Sequence, residues 1–490
     1  MASKPSPSKS LNVERLPIRL QADPKRVLLR PYDTSGMEQA RNVITRVLAV
    51  PEADLPALIE SILAEFGERH HLVRERLLSR FEDKKGLMAT DQDMSEERKL
   101  LFGACFSAEY SLECAALFNP SIVADPDQTG LPKRSLRFIL SLRATGEGHI
   151  SSITFRGGVI NSKGEVTLKE PSRLVAEPEA LPTPAYERGL FSRKLYELGL
   201  STSFVRRVVE NLNEEFSLND LRQAIHRERW RRRNLTAEPD DDPSVDDKIL
   251  SLALSNYVAQ FRPDQDISER AIFPVTPSQR NGIEDARFVR FEGGTYYGTY
   301  TAYDGRLILP QLIETDDFLV FRFITMNGPA IKNKGMALFP RKIDGMYVML
   351  SRQDGENLHL MYSDNIHFWH ESKVILRPRF SWEMVQVGNC GSPIETPAGW
   401  LVLTHGVGPM RQYCIGVILL DLKDPSKVIG RLKQPLLRPE ADEREGYVPN
   451  VTYTCGAIVH AGYLIIPYAI SDSASRFARV NLQELLSAMT

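Results

Sequence analysis

The 490-residue sequence contains no apolar run that approaches the about 18 residues of a membrane-spanning helix. Its first ten residues are cationic and rich in Pro and Ser, and no apolar stretch follows them, so a secretory signal is not expected. The five cysteines are an odd number with no C-x-x-C pair, and no histidine stands at zinc-finger spacing. These absences argue against a disulfide framework or a structural zinc site and predict a reducing, cytoplasmic location.

Net charge is also nearly absent, because 61 basic residues face 63 acidic ones and the sequence pI is near 6.5. The chain as a whole therefore has no electrostatic attraction to nucleic acid or to an anionic membrane. A hydrophobic fraction of 42% and a charged fraction of 25% are typical of a globular protein. The length predicts two or three domains.

The spacing of apolar residues changes along the chain and divides it into five regions. It predicts an extended or disordered segment over 1–36, amphipathic helices over 37–114, strands over 115–183, a second helical region over 184–261 and strands again over 262–490. The predicted fold class is mainly β, with an added N-terminal helical region and a helical insertion. Both helical regions are expected to shape the site or the assembly.

The second β region repeats itself. A glycine, an aromatic or apolar pair and a hydrophobic run recur from Gly294, Gly345, Gly399 and Gly462, at intervals of 51, 54 and 63 residues. Periods of about 40 to 50 residues in β sequence are typical of propeller blades, which bury their faces against each other. A fifth unit at 135–142 completes a predicted five-bladed β-propeller. The alternative is a β-sandwich in which the similarity of the turns is accidental.

Each repeated apolar strand runs into polar residues. Because equivalent positions on successive blades converge on the axis of a propeller, these residues are expected to share one polar pocket. They are Arg143, Tyr303, Asp304, Arg352, His405, Tyr468 and Asp472. His405 is able to bind an anion or take a proton near neutral pH, and a buried core histidine is the alternative.

Two adjacent carboxylates, Glu284 and Asp285, are followed closely by Arg287 and then by a predicted strand. A neighbouring charge and partial burial can set the pKa of one such carboxyl for general acid catalysis. A solvated turn before a strand is the structural alternative.

Several motifs together resemble one known family, the glycoside hydrolases and phosphorylases of family 130, which are inverting β-mannoside-active enzymes on a five-bladed propeller. The resemblance covers about residues 115 to 160 and 270 to 480. Its motifs are FNPS at 118–121, LRA at 142–144, GIEDAR at 282–287, YTAY at 300–303, ALFP at 337–340, GWL at 399–401, HGV at 405–407 and VPNV at 448–451.

The resemblance implies a reaction at the anomeric carbon of a mannosyl unit. Asp285 matches the proton donor, which acts in this family through the 3-hydroxyl of the sugar. Asn119, Arg143 and Asp472 match positions that hold that sugar, and Tyr303 is a further substrate-binding candidate from the repeat.

Phosphorolytic members of the family bind phosphate through basic residues on successive blades. His405 matches one of these residues, and Arg352 is a second candidate. A family lysine nineteen positions before the histidine is Gln386 here, which weakens the case for phosphate. Hydrolysis is therefore a close alternative, with Glu383 or Glu395 as the base that activates water.

The leading prediction is an inverting enzyme that cleaves β-mannosidic bonds by phosphorolysis and releases mannose 1-phosphate, with no cofactor or metal besides phosphate as co-substrate. A non-catalytic binding module is a more distant alternative, in which the basic run over 227–233 grips nucleic acid. The acidic stretch over 238–247 is expected to neutralise that run instead. The predicted partner is a β-mannoside oligosaccharide, without nucleic acid or membrane, and self-association, linkage and chain length stay open.

Overall fold

The computed structural model of the chain describes residues 11–88, 94–183, 185–235 and 244–489. In these ranges, strands form five antiparallel sheets of four to six strands and two smaller two-stranded sheets. Helices lie in an N-terminal region and in an insertion, so the prediction of a mainly β chain with two added helical regions is confirmed. None of the described helices combines the length and the apolar character that crossing a membrane requires. All five cysteines are unpaired.

The N-terminal region contains strands as well as helices. In chain order its elements are β1 (Val13–Leu20), β2 (Asp23–Pro31), α1 (Met37–Ala49), α2 (Leu55–Phe66), α3 (Val73–Lys84), α4 (Glu96–Cys105) and β3 (Ser107–Glu113). The helices bury one apolar core that includes Ile44, Leu55, Leu77 and Phe102. The helical prediction over 37–114 is wrong at its end, because β3 makes its backbone hydrogen bonds with β2 rather than within a helix.

The first ten residues of the segment predicted as extended or disordered lie outside the described ranges. The rest of that segment includes β1, which pairs antiparallel with the last strand of the chain through Val13 and Val480. Arg15 on β1 also forms ion pairs with Glu440 and the buried Glu443. This segment is therefore a structural strand of a sheet.

The five large sheets follow one another along the chain. Sheet 1 contains β4 (Ala116–Ala124), β5 (Leu136–Thr145), β6 (Ser151–Ile160), β7 (Val166–Leu168) and β12 (Ala271–Ile272). Sheet 2 contains β8 (Glu179–Pro182), β11 (Tyr257–Gln260), β13 (Ile283–Arg290), β14 (Tyr296–Tyr303), β15 (Ile308–Thr315) and β16 (Val320–Thr325). Strands β8, β11 and β12 therefore cross the domain boundaries predicted from the sequence.

The remaining three sheets have the same antiparallel order. Sheet 3 contains β17 (Ala337–Leu338), β18 (Tyr347–Ser351), β19 (Leu358–Ser363) and β20 (Lys373–Leu376). Sheet 4 contains β21 (Gln386–Asn389), β22 (Ile394–Thr396), β23 (Gly399–Val407), β24 (Tyr413–Leu420) and β25 (Val428–Arg431). Sheet 5 contains β26 (Thr452–Tyr453), β27 (Ile458–His460), β28 (Tyr463–Ile470), β29 (Ala474–Asn481) and β1. Helix α9 (Leu482–Ala488) follows β29.

Apolar clusters join each large sheet to the next, and the fifth sheet packs on the first. Each cluster takes side chains from two neighbouring sheets, which is how antiparallel sheets with two apolar faces bury both of them. In ring order, representative residues are Phe155 and Phe288, Leu312 and Met349, Leu360 and Trp400, Leu403 and Ile466, and Ile465 and Phe138. The five strands of the sequence repeat are β5, β14, β18, β23 and β28, so each repeat marks the second strand of its sheet.

The helical insertion has its own apolar core. It contains the hairpin strands β9 (Tyr186–Glu187) and β10 (Glu215–Phe216) and the helices α5 (Arg188–Glu197), α6 (Ser203–Glu210), α7 (Leu218–Leu235) and α8 (Ser244–Leu254). On α7, Arg229 pairs with Asp246 at 2.8 Å, and Arg231 and Arg232 pair with Glu228. Part of the basic run is thus bound inside the fold, and residues 238–243 of the acidic stretch lie outside the described ranges.

Candidate active site

Asn119 and Asp285 lie at matching irregularities in the first strands of sheets 1 and 2. The register of β4 against β5 shifts between Phe118 and Ser121, and that of β13 against β14 shifts between Glu284 and Arg287. Both residues have left-handed backbone angles, with φ of 49° and 54°. Such bulges re-aim a side chain and concentrate at functional sites. Here they bring the Asn119 amide to donate to Asp285 Oδ1 at 2.7 Å.

Arg143, at the end of β5, holds both neighbouring carboxylates. Its Nη2 donates to Glu284 Oε1 at 3.0 Å, and its Nη1 lies 3.5 Å from Asp285 Oδ1. Ser151 fixes the other side of the guanidinium by accepting from Nε at 2.9 Å. The structure therefore brings Asn119, Arg143 and Asp285 together, as expected from positions far apart in the sequence.

Two acids of the site have pKa values that are shifted in opposite directions. Burial raises the pKa of Asp285, but the charges of Arg143, Arg287 and Lys334 and the hydrogen bond from Asn119 outweigh it and hold this pKa well below its usual range. Burial, followed by the charge of Asp285, raises the pKa of Asp472 to about 6. Asp472 therefore belongs to the same electrostatic group, and it takes up a proton before Asp285 does.

The raised pKa of Asp472 has a consequence for stability. The folded chain keeps this proton up to about pH 6, whereas the unfolded chain loses it near the usual pKa of 3.8. Because the unfolded state binds fewer protons between these values, this group lowers the free energy of unfolding as the pH rises through them. Asp472→Asn removes that loss, so the stability of the variant relative to the parent is expected to rise across this window and level off above it. Urea unfolding at several pH values measures the difference, and a difference independent of pH would contradict the shift.

Arg287 stabilises the backbone around Asp285 through hydrogen bonds. Its guanidinium is almost fully buried and donates to the carbonyls of Asp285 and Cys390 and to the Tyr453 hydroxyl, each at 2.7 Å. Its Nη2 lies 3.7 Å from Asp285 Oδ2. Arg287 thus links β13 to sheets 4 and 5 and adds positive charge beside Asp285.

Arg352 and His405 meet beside this group. Arg352 Nη1 lies 3.1 Å from His405 Nε2, and the amide of Gln386 lies 3.2 Å from the same nitrogen. His405 Nδ1 lies 3.2 Å from the Asn389 carbonyl, so Nδ1 donates and Nε2 accepts. A side chain at Gly388 would collide with both Arg352 and His405, which explains why a glycine stands there.

His405 is neutral in this environment. It is 0% exposed, and burial, followed by the charges of Arg352 and Arg287, lowers its pKa well below the usual 6.5. The interpretation that His405 takes a proton near neutral pH is therefore wrong, because two cations and burial disfavour the imidazolium. Its role toward phosphate stays a prediction, and its contacts orient Arg352.

The structure does not bring the other predicted residues into this group. Tyr303 donates its hydroxyl to the Gly305 carbonyl. Glu383 is buried and pairs with Arg431 at 2.5 Å, and it also accepts two backbone N–H groups. Glu395 pairs with Arg341 and lines a cavity together with Val289, which is at the opposite end of β13 from Asp285. Both carboxylates are thus engaged away from Asp285.

Lys334 is a site residue that the sequence reasoning missed. Its Nζ lies 3.2 Å from Glu284 Oε2, and its charge acts on Asp285 and Asp472. It lies shortly before β17, the first strand of sheet 3. Asn119 and Asp285 lie in the first strands of their own sheets. This shared position at the start of a sheet was a signal for Lys334 in the sequence. It was missed because the sequence repeat marks only the second strand of each sheet. Among the described residues, no three or more His, Cys, Asp or Glu side chains are grouped to hold a metal ion.

Comparisons with known proteins relate this chain to mannoside phosphorylases. A family model described as β-1,4-mannooligosaccharide phosphorylase matches residues 265–490. A 1,2-β-oligomannan phosphorylase of Thermoanaerobacter sp. (strain X514) is 35% identical over 221 residues, which are 43% of this chain and 72% of that protein. A β-1,2-mannobiose phosphorylase of Listeria innocua is 32% identical over 228 residues, which are 44% of this chain and 62% of that protein.

Among solved structures, the β-1,2-mannobiose phosphorylase of Listeria innocua in complex with β-1,2-mannobiose covers 78% of this chain and 93% of its own, at a TM-score of 0.45 and 21% identity. The range that the family model matches includes Asp285, Arg352 and His405. The chain belongs to glycoside hydrolase family 130.

Proposed function

We propose that this chain is an enzyme that cleaves β-mannosidic bonds by phosphorolysis, with inversion, to release mannose 1-phosphate. Its five large sheets are the blades of a five-bladed β-propeller, and the group around Asp285 is its active site. The ring of apolar clusters that joins sheet 5 back to sheet 1 supports the propeller. The phosphorylase relatives support the reaction.

The observation that carries the reaction type is the Arg352–His405 pair beside Asp285. An inverting phosphorylase needs a proton donor on one side of the sugar and a cationic cradle for the attacking phosphate on the other. Arg352 is buried, and its Nε has no hydrogen-bond partner among the described residues, so it is free to donate to an anion. Gln386 donates toward His405, so it supports the cradle without supplying a charge.

Asp285 is the proton donor in this proposal, acting through the 3-hydroxyl of the sugar. In the free chain the surrounding cations keep it ionised. Phosphate brings negative charge to the neighbouring Arg352, and a nearby negative charge raises the pKa of a carboxyl group. Asp285 therefore gains its proton as the complex assembles.

The mannosyl unit is held by the groups around the donor. Asn119 Oδ1 and Asn389 Oδ1 are buried and have no partner among the described residues, so each can accept from a sugar hydroxyl. Arg143 and Asp472 complete the set of groups that face the sugar. No cofactor besides phosphate as co-substrate is proposed.

Hydrolysis is the second candidate, and the positions of Glu383 and Glu395 disfavour it. A base that activates water has to face the sugar from the side opposite Asp285. Glu383 is held by Arg431 and Glu395 by Arg341, so both carboxylates are already engaged by arginines outside the Asp285 group.

One incubation tests the proposal. The chain is given β-1,2- and β-1,4-linked mannobiose and longer oligosaccharides, each with and without inorganic phosphate. Mannose 1-phosphate that forms only with phosphate supports phosphorolysis, and the panel identifies the linkage. Free mannose released at equal rates in both conditions would refute it.

His405→Ala tests phosphate binding through the residue that orients Arg352. The variant is expected to raise the KM for phosphate by about tenfold, because Arg352 loses the acceptor that orients it. The KM for the mannoside is expected to change much less. Phosphate saturation curves measure both, with His370→Ala as control because His370 is exposed and lies outside the site. An unchanged KM for phosphate would show that His405 packs in the core and does not contribute to phosphate binding.

A further inference from the structure

A cavity of about 240 Å³ lies between the helical insertion and the end of β16 in sheet 2. Its walls include side chains of the insertion, of the segment that follows β16 and of the loop between β19 and β20. These side chains are Tyr186, Phe191, Lys194, Asn256, Asn327 and His367. The insertion lies outside the residues shared with the family model, which begin at 265. The cavity is thus a feature that this chain adds beside the catalytic sheets.

The cavity opens at the same end of sheet 2 as the candidate active site. Ile283 of β13 pairs with Ala302, Ala302 pairs with Leu309, and Gln311 of β15 pairs with Thr325 at the cavity. Three strand spacings separate β13 from β16, which is about 14 Å. An oligosaccharide of several units spans such a distance.

Two buried polar groups in the cavity wall have unused hydrogen-bonding capacity. The Lys194 side chain is 6% exposed, and its ammonium donates to Glu197 at 3.0 Å, its one hydrogen bond to a described residue. Asn327 is 5% exposed, and its amide nitrogen donates to the Thr325 carbonyl at 3.1 Å. That bond fixes the amide, and Asn327 Oδ1 is left without a partner among the described residues.

These groups select a hydroxyl ligand. Lys194 requires an acceptor, and Asn327 Oδ1 requires a donor. A carboxylate cannot donate to Asn327 Oδ1, and an ammonium ion cannot accept from Lys194. A hydroxyl group does both, and the pairing of Lys194 with Glu197 leaves no net charge to attract an ion.

We propose that this cavity binds a neutral sugar unit. One source of that unit is the distal end of the oligosaccharide cleaved at Asp285, which rests on the proposed function. The other source is a separate sugar molecule. In either case the helical insertion carries a carbohydrate site of its own.

Ala185→Phe tests the cavity from its rim. Ala185 is exposed and lines the cavity, so a phenylalanine there fills it without disturbing the core. Ala180→Phe is the matched control, because Ala180 is an exposed residue of β8 that does not line the cavity. A second variant, Lys194→Met with Glu197→Gln, removes the ammonium and keeps an acceptor for the Gly328 N–H, which Glu197 binds at 2.8 Å.

Two measurements are made on the full chain, the kcat/KM for β-1,2-mannobiose and β-1,2-mannotetraose, and the binding of mannose followed by saturation-transfer NMR. If the cavity holds the distal unit, both cavity variants lower kcat/KM for the tetraose by about tenfold and leave the biose unchanged. If it holds a separate sugar, they weaken mannose binding and leave the chain-length profile unchanged.

Chain-length preference and mannose binding that both stay as in the parent and in Ala180→Phe would overturn the proposal. A parent that cleaves no β-mannoside would defeat the proposed function instead. The NMR measurement does not need turnover, so it still decides whether the cavity binds sugar.

Discussion

Asp285→Asn is expected to lower kcat for phosphorolysis by about 10²- to 10⁴-fold, because the side chain keeps its volume but can no longer transfer a proton. The amide still accepts a hydrogen bond from Asn119, so the pocket is expected to keep its geometry. Initial rates at saturating mannoside and phosphate measure the loss. Circular dichroism and thermal unfolding of the same sample measure the fold.

The matched control is Asp317→Asn. Asp317 lies in the turn before β16, and its Oδ1 accepts from the N–H groups of Leu319 and Val320, which an asparagine also allows. It is expected to retain the activity of the parent. Turnover by folded Asp285→Asn that matches the control would remove Asp285 from the chemistry.

Arg352→Met is expected to raise the KM for phosphate by about tenfold to a hundredfold, since a charge-assisted hydrogen bond is worth about 1.5 to 3 kcal/mol. Methionine keeps much of the buried aliphatic volume and removes the guanidinium. Arg352 contacts His405 Nε2, which keeps the Gln386 amide as a donor, and no carboxylate of a described residue pairs with Arg352, so the substitution leaves no such carboxylate without its cation. Saturation curves in phosphate and in mannoside separate the two effects.

Arg322→Met controls for the loss of one arginine. Arg322 is an exposed residue of β16 and lies away from the Arg352–His405 pair. Its KM for phosphate is expected to equal that of the parent. An Arg352→Met enzyme with an unchanged KM for phosphate and a raised KM for mannoside would assign Arg352 to the sugar instead.

The repeat in the sequence predicted the second strand of every sheet, because those strands are apolar and largely buried, and four of the five begin at or just after a glycine. Two of the residues expected to share a pocket, Arg143 and Asp472, do act on Asp285. Tyr303 follows an equivalent strand but turns toward its own loop. The sequence predicts the position of a strand end, but the direction of the side chain there depends on the local turn.

The bulges at Asn119 and Asp285 could not be predicted from apolar spacing. A bulge shifts the alternation of the two faces by one residue. Both β4 and β13 are buried along nearly their whole length, so neither strand has an alternating pattern that would reveal the shift. The strand β1 was missed as a structural element for a related reason. Its pairing partner is β29, at the far end of the chain, and such a long-range contact leaves no local signal.

The state of His405 also depended on contacts that sequence does not give. A histidine at the end of an apolar strand fits either an anion ligand or a buried residue. Burial, followed by the charges of Arg352 and Arg287 from other sheets, lowers the pKa of His405 and keeps it neutral. Likewise, Glu383 and Glu395 are close to the site in sequence, but their arginine partners hold them elsewhere.

In the proposed reaction phosphate, not water, attacks the mannosyl unit. The most direct measurement is the reaction of β-1,2-mannobiose and phosphate in water labelled with oxygen-18, with the products followed by NMR and mass spectrometry. The expected products are α-mannose 1-phosphate and unlabelled mannose. At early times no product is expected to carry solvent oxygen at an anomeric carbon. Labelled free mannose formed at the rate of bond cleavage would contradict it.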